Sequence, residues 1–163
     1  MGHALAWCRG EIFEGRMFGL FGVVVLVVAV AYWKMGTTPS ARAMFVPLLV
    51  VGLFALGTGI YLNVANQARK PRYEAAAEAD ERGFAEREKE RTEAFIKWYP
   101  VTMWSMTGLI LVGCLVFLLV PTPHGRAIGL SLALLGLSVL FLDHFSEVRA
   151  EIYHAHIVDY LGR

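Results

Sequence analysis

Four apolar runs divide this chain: Met17 to Trp33, Ala43 to Val64, Pro100 to Val120 and Ala127 to Leu142. None of the four contains an Asp, Glu, Lys, Arg or His. Crossing about 30 Å of hydrocarbon takes roughly 20 helical residues, so the second and third runs suffice outright. The shorter first and fourth can span if the bilayer thins or flanking groups snorkel, which places Arg16, Asp143 and His144 at the interface. A water-soluble four-helix bundle needs a polar face on every helix, and these runs have none. The expected fold is therefore all-α, a membrane protein built as an antiparallel bundle of four transmembrane helices (17–33, 43–64, 100–120 and 127–142). It carries a helical loop over 65–99 and a further helix over 143–160, within one domain covering 1–163.

Charge distribution sets the expected orientation. Two basic residues precede the first run (Arg9, Arg16), eight lie between the second and third, and two follow the fourth (Arg149, Arg163). The other two connections hold only Lys34, Arg42 and Arg126. Basic residues stay on the cytoplasmic side, so both termini and the 65–99 loop are expected there, in a bacterial inner membrane. All fourteen acidic residues fall on that same side. The small-x-small stretch Ala29-Val30-Ala31 is the mark of a cleavable leader, but Glu11 and Glu14 ahead of it are atypical of one, and the first run is expected to be a retained helix. Cys8 and Cys114 are too far apart in this topology to pair. The net charge of +1 says nothing about nucleic acid, and no nucleic-acid partner is expected.

Between the second and third runs, eight bases and eight acids alternate around Pro71 and Gly83. Reading those two residues as breaks gives a helix from Arg72 to Ala79, a turn capped by Asp80, and a second helix ending near Trp98. Glu93 with Lys97 and Glu86 with Lys89 are the ion pairs the spacing offers. Alternating charge of this kind marks a solvated face, with partner binding as the second reading. No Gly or Pro interrupts Asp143 to Tyr160, so the fourth helix is expected to continue as one projecting rod.

Several function classes lose support at this point. With no histidine in the spans, a buried b-type haem lacks axial ligands. With no ionisable residue there, a midplane proton relay has no carrier. Walker, zincin, nucleophile-elbow and paired-cysteine motifs are absent from the sequence, and no catalytic residue is assigned. Asn63 is the best candidate for an interhelical hydrogen bond. His144, Glu147, Glu151 and His154 lie within an arc of about 80° on the projecting helix, a pattern open to a divalent metal or simply a polar face. His3 and His124 read as isolated. Small residues at Gly52, Ala55, Gly57 and Gly59, and at Gly129, Ala133 and Gly136, suit close helix packing, within the chain or in a homo-oligomer.

Topology and depth together suggest a polar collar where the first helix enters and the fourth leaves the membrane. Glu11, Glu14 and Arg16 meet Asp143, His144, Glu147 and Arg149 at that level, with Arg16–Asp143 and Glu14–Arg149 as expected pairs. In architecture alone the chain is similar to small four-pass inner-membrane immunity proteins, which bind pore-forming toxins in the bilayer. That likeness implies a non-enzymatic binding or accessory protein with membrane lipid and a protein as partners and no cofactor. An oligomeric small-ion channel or transporter is the alternative, and a metal-dependent membrane enzyme the third.

Overall fold

The computed structural model describes residues 2–162; Met1 and the basic Arg163 lie outside the described residues. Six helices follow one another: α1 (Gly2–Met35), α2 (Pro39–Ala43), α3 (Phe45–Ala79), α4 (Glu81–Ile96), α5 (Tyr99–Leu119) and α6 (Pro123–Leu161). Four stretches, Gly2–Met35, Pro39–Ala79, Glu81–Leu119 and Pro123–Leu161, contain a window long and apolar enough to cross a membrane. Large apolar side chains stand out along these helices, Val27, Leu118 and Phe141 among them. A surface of that kind suits lipid, since proteins folded in water rarely expose apolar patches beyond a few hundred Å².

Helix ends follow local chemistry. Thr38 caps α2 by accepting from the Ala41 N–H at 3.2 Å, and Thr122 caps α6 by accepting from Gly125 at 3.1 Å; each is followed by a proline preset for a first turn. Asp80 ends α3 and caps α4, its carboxylate accepting from the Gly83 N–H at 2.9 Å.

Two boundaries differ from the sequence expectation. Pro71 is no break, because α3 runs through it to Ala79; one missing N–H and some local bending are tolerated when the turns on either side are packed. Gly83 likewise lies inside α4, in the first turn, where Asp80 satisfies its N–H. α1, α3 and α6 thus extend well beyond their apolar runs, whereas α5 matches its own, and α1 already begins at Gly2.

Packing rests on two helix pairs joined through glycine. Along α1, Gly15 and Gly19 meet Gly59 of α3, and Gly22 meets Leu56 and Gly52. A Cβ on Gly22 would lie 2.5 Å from the Leu56 nitrogen, and one on Gly59 2.5 Å from the Gly15 oxygen. Between α5 and α6, Gly113 meets the Gly129 oxygen and the Ala133 nitrogen in the same manner, and Gly136 meets Ile110. Backbones this close gain dispersion contacts that any side chain would forbid. These small residues serve contacts inside the chain; Gly57, by contrast, faces open space.

α6 is the hub, touching α1, α2, α3, α4 and α5. At the end holding the acidic residues, the N-terminus of α1, the end of α3, α4 and the end of α6 enclose a core of Ala4, Trp7, Cys8, Ala77, Phe84, Ala85, Tyr153 and Ile157. The 65–99 stretch is consequently more than a solvated face: α4 buries Phe84, Ala85, Glu88 and Thr92 on one side. Its surface carries the ion pairs Arg82–Glu86 and Lys89–Glu93, both i,i+4, where Glu86–Lys89 and Glu93–Lys97 were the expected ones.

Gly22→Ala and Gly59→Ala are each expected to destabilise the fold by about 1–3 kcal/mol through forced helix separation. Gly57→Ala should be neutral or slightly stabilising. Thermal unfolding in detergent reads the difference, and equal effects at all three sites would show that the α1–α3 contact is not tight.

Candidate functional site

The charged end contains two polar centres, and each is built from residues far apart in sequence. In the first, Arg149 of α6 lies between two carboxylates of α1, bonded to Glu14 and, at 3.0 Å, to Glu11. Glu11 and Glu14 are three residues apart, just under one turn, so both face α6. Both are buried, at 6% and 8% exposure, which makes the shared guanidinium necessary for charge compensation. Ser146 adds a hydrogen bond to Glu11 at 3.1 Å, and the Tyr99 hydroxyl meets Ser146 at 3.1 Å, so the collar reaches α5. Gly10 leaves room for Arg149, whose side chain would lie 2.5 Å from any Cβ there.

Burial raises the Glu14 pKa, and the neighbouring Glu11 charge adds to that; together they exceed the lowering by Arg149. For Arg149 itself, burial works against the charge, but hydrogen bonds to Glu14 and Glu11 outweigh it and the pKa is raised. Burial also pushes Tyr99 up to about 12. Asp143 is raised to about 6, by burial first and by the Glu147 charge second.

The remaining collar residues are placed differently. Arg16 is exposed and forms no ion pair with Asp143. Glu14 and Arg16 are two positions apart, about 200° around the helix, so turning Glu14 toward α6 turns Arg16 away. His144 is exposed, with its ring edge-on to Phe145. Asn63 is not interhelical either. Its amide donates to the Gly59 carbonyl of its own helix at 2.9 Å, the ordinary outlet for a polar side chain on an apolar helix. The buried asparagine is instead Asn66, at 1% exposure, which donates to Leu62 and accepts from Arg69.

The second centre lies around Arg91 of α4. Its guanidinium forms a two-pronged pair with Glu88 at 2.8 and 2.7 Å and stacks near the rings of Trp7 (4.6 Å), Phe95 (5.1 Å) and Tyr73 (5.9 Å). Glu88, 5% exposed, also accepts from the Tyr153 hydroxyl at 3.0 Å, while Trp7 stacks on Tyr153. Burial, with the Glu88 charge added, holds both Tyr153 and Tyr73 protonated far above their usual range. One ion pair in an aromatic cage thereby joins α1, α3, α4 and α6. Cys8 is fully buried beside it, and burial raises its thiol pKa, which makes it a poor nucleophile at neutral pH.

The four residues of the metal-like stripe do not converge. His154 faces α4, with Nδ1 2.7 Å from the Thr92 hydroxyl and Nε2 3.9 Å from Glu93, while Glu151 is exposed. Among the described residues no three His, Cys, Asp or Glu side chains come together as a metal would require. His3 is not isolated, since it stacks on His156 with ring centroids 3.8 Å apart. His154 and His156 therefore serve opposite sides of α6, as their 200° separation dictates.

Trp7, Tyr73, Glu88, Arg91, Thr92 and Tyr153 were missed by the sequence reading. A signal existed for α4: Phe84, Ala85, Glu88, Thr92 and Phe95 share a helical stripe, with one acid inside it. No family model matches the chain, and neither a curated protein nor a solved structure matches it.

These centres generate two predictions. Removing one partner of a buried pair costs about 3–5 kcal/mol because the other charge is stranded. Arg91→Met and Glu88→Met should each lower Tm markedly in detergent, whereas the double variant should lose far less than the sum; additive losses would dissolve the cage. Asp143 binds its proton more tightly when folded (about 6) than in the unfolded chain (3.8), so stability falls as pH rises through that window. Asp143→Asn is expected to raise Tm at pH 7.5 and to gain less at pH 5; a pH-independent gain would mean the carboxyl is not linked to folding.

Proposed function

We propose that this chain is a four-pass protein of a bacterial inner membrane, an antiparallel transmembrane bundle with both termini and a helical hairpin (65–99) on the cytoplasmic side. Its role is non-enzymatic: it binds another protein, as an accessory or immunity-type factor. The observation that carries this reading is the division of labour within α4. One face is fixed to the bundle by Phe84, Glu88 and Thr92, and the opposite face presents Arg82, Glu86, Arg87 and Glu90 to solvent on a braced rod. A braced charged helix presents a mixed-sign surface without the ordering cost of a loose loop. The buried ionisable groups, meanwhile, are bonded to one another.

A second face suits a partner within the bilayer. α5 packs chiefly on α6, leaving Leu111, Leu115, Leu118 and Leu119 exposed. This open apolar surface also underlies the alternative of an oligomeric channel.

Photo-crosslinking residues introduced at Arg87, Glu90, Leu111 and Leu118 in native membranes provide the test. One discrete heterologous adduct from the α4 positions, and labelling of Glu90→Cys from the cytoplasm alone on a Cys8→Ser/Cys114→Ser background, are expected. Adducts confined to self and lipid, together with ion flux in liposomes, would replace this reading with the channel.

A further inference from the structure

At the end of the molecule away from the carboxylates, a groove of about 460 Å³ lies between α2–α3 and α6. Its wall is apolar: Val46, Val50 and Val51 on one side, Ile128, Leu132 and Leu135 on the other. Three polar groups face it. Arg42 and His124 are both exposed, and Ser131 is buried at 4% exposure. Among the described residues the Ser131 hydroxyl has no hydrogen-bond partner, which is unusual for serine in a helix, whose hydroxyl commonly bonds a carbonyl one turn back.

We propose that this groove binds one anionic glycerophospholipid of the leaflet opposite the charged end. The phosphate sits at Arg42 and His124, one acyl chain lies along the valines and leucines, and Ser131 donates to an ester carbonyl. This assignment rests on the membrane orientation proposed for the bundle.

Charge selects the occupant. No acidic residue lies between Glu14 and Glu74 or between Glu93 and Asp143, so this end has no carboxylate to neutralise a guanidinium. Among the described residues Arg42 bonds through its Nε alone, to the Gly36 carbonyl at 3.1 Å, leaving the terminal nitrogens for a phosphate. The imidazole of His124 keeps an N–H donor in either tautomer. Depth selects the rest. His124, Ile128, Ser131, Leu132 and Leu135 lie on one face of α6, and seven residues of rise put Ser131 about 10 Å along the axis from His124. A ligand must therefore be anionic at one end, carry an acceptor further in, and be hydrocarbon beyond. A phospholipid meets all three demands and is present as solvent. A soluble phosphate would leave the apolar wall and Ser131 unsatisfied.

The full chain, purified in mild detergent and titrated with phosphatidylglycerol or phosphatidylcholine of equal chain length, is read by native mass spectrometry. One tightly held phosphatidylglycerol is expected. Arg42→Gln/His124→Gln should weaken it at least about fivefold, the scale of one interfacial cation, with little effect on phosphatidylcholine. Ser131→Leu, which fills the groove, should remove the bound lipid altogether. Lys70→Gln/Arg72→Gln at the charged end should leave it in place. Because the double variant alters only exposed side chains, misfolding of Ser131→Leu would not obscure the outcome.

Equal retention of the two lipids, or a preference abolished by the Lys70/Arg72 substitutions instead, would overturn the proposal. So would a protein dimer that Ser131→Leu breaks apart, since the groove would then belong to a second copy. A chain that stayed monodisperse without detergent would overturn the membrane reading itself, a distinguishable result.

Discussion

The close contact of α1 with α3 at Gly15, Gly19, Gly22, Gly52 and Gly59 is the constraint on which the rest of the molecule depends. Two apolar helices gain little from the hydrophobic effect when their surroundings are equally apolar, so association has to come from close packing. Glycine supplies it by letting backbone meet backbone. Once α1 is held along α3, its N-terminal turns have only one place to go, into the space between α4 and α6. Trp7, Glu11 and Glu14 arrive there as a set because they ride one rigid helix with the glycines. Gly113, Gly129 and Gly136 do the same for α5 and α6.

The two polar centres then work as fasteners on this frame. Arg149 compensates two buried acids on α1, and Arg91 is compensated by Glu88 within an aromatic cage that includes residues of α1, α3 and α6. Buried charges of this kind are costly to form and costlier to break, so they select one arrangement of helices more than they add net stability. The arrangement they select holds α4 firmly by one face, which is why the other face is a surface and not a floppy loop. The opposite end has no such fasteners. There a groove lies open and Ser131 has no hydrogen-bond partner among the described residues.

How much of this was legible depended on whether the signal was local. The Glu14–Arg149 contact could be reasoned from depth alone, because both residues flank apolar runs at the same level. Arg16 could not be placed the same way, because depth says nothing about azimuth: two residues past Glu14 it points away from α6. Pro71 misled because a helix tolerates a missing N–H when neighbouring turns are packed. Glu88 and Arg91 vanished among fourteen other charges of the 65–99 stretch, although the helical stripe through Phe84, Thr92 and Phe95 ran past them.

The sequence by itself determined the class of structure: apolar runs of this length without a charge form helices that satisfy their own backbone and are long and apolar enough to cross a membrane. It also determined where the polar groups gather, since the ends of each run fix the depth of the residues flanking it. Only the tertiary structure decided which of those groups meet. Trp7, Tyr73, Arg91 and Tyr153 come from four helices and share no local pattern; their encounter depends on the rotation of each helix about its axis, and that rotation is set by glycine contacts tens of residues away.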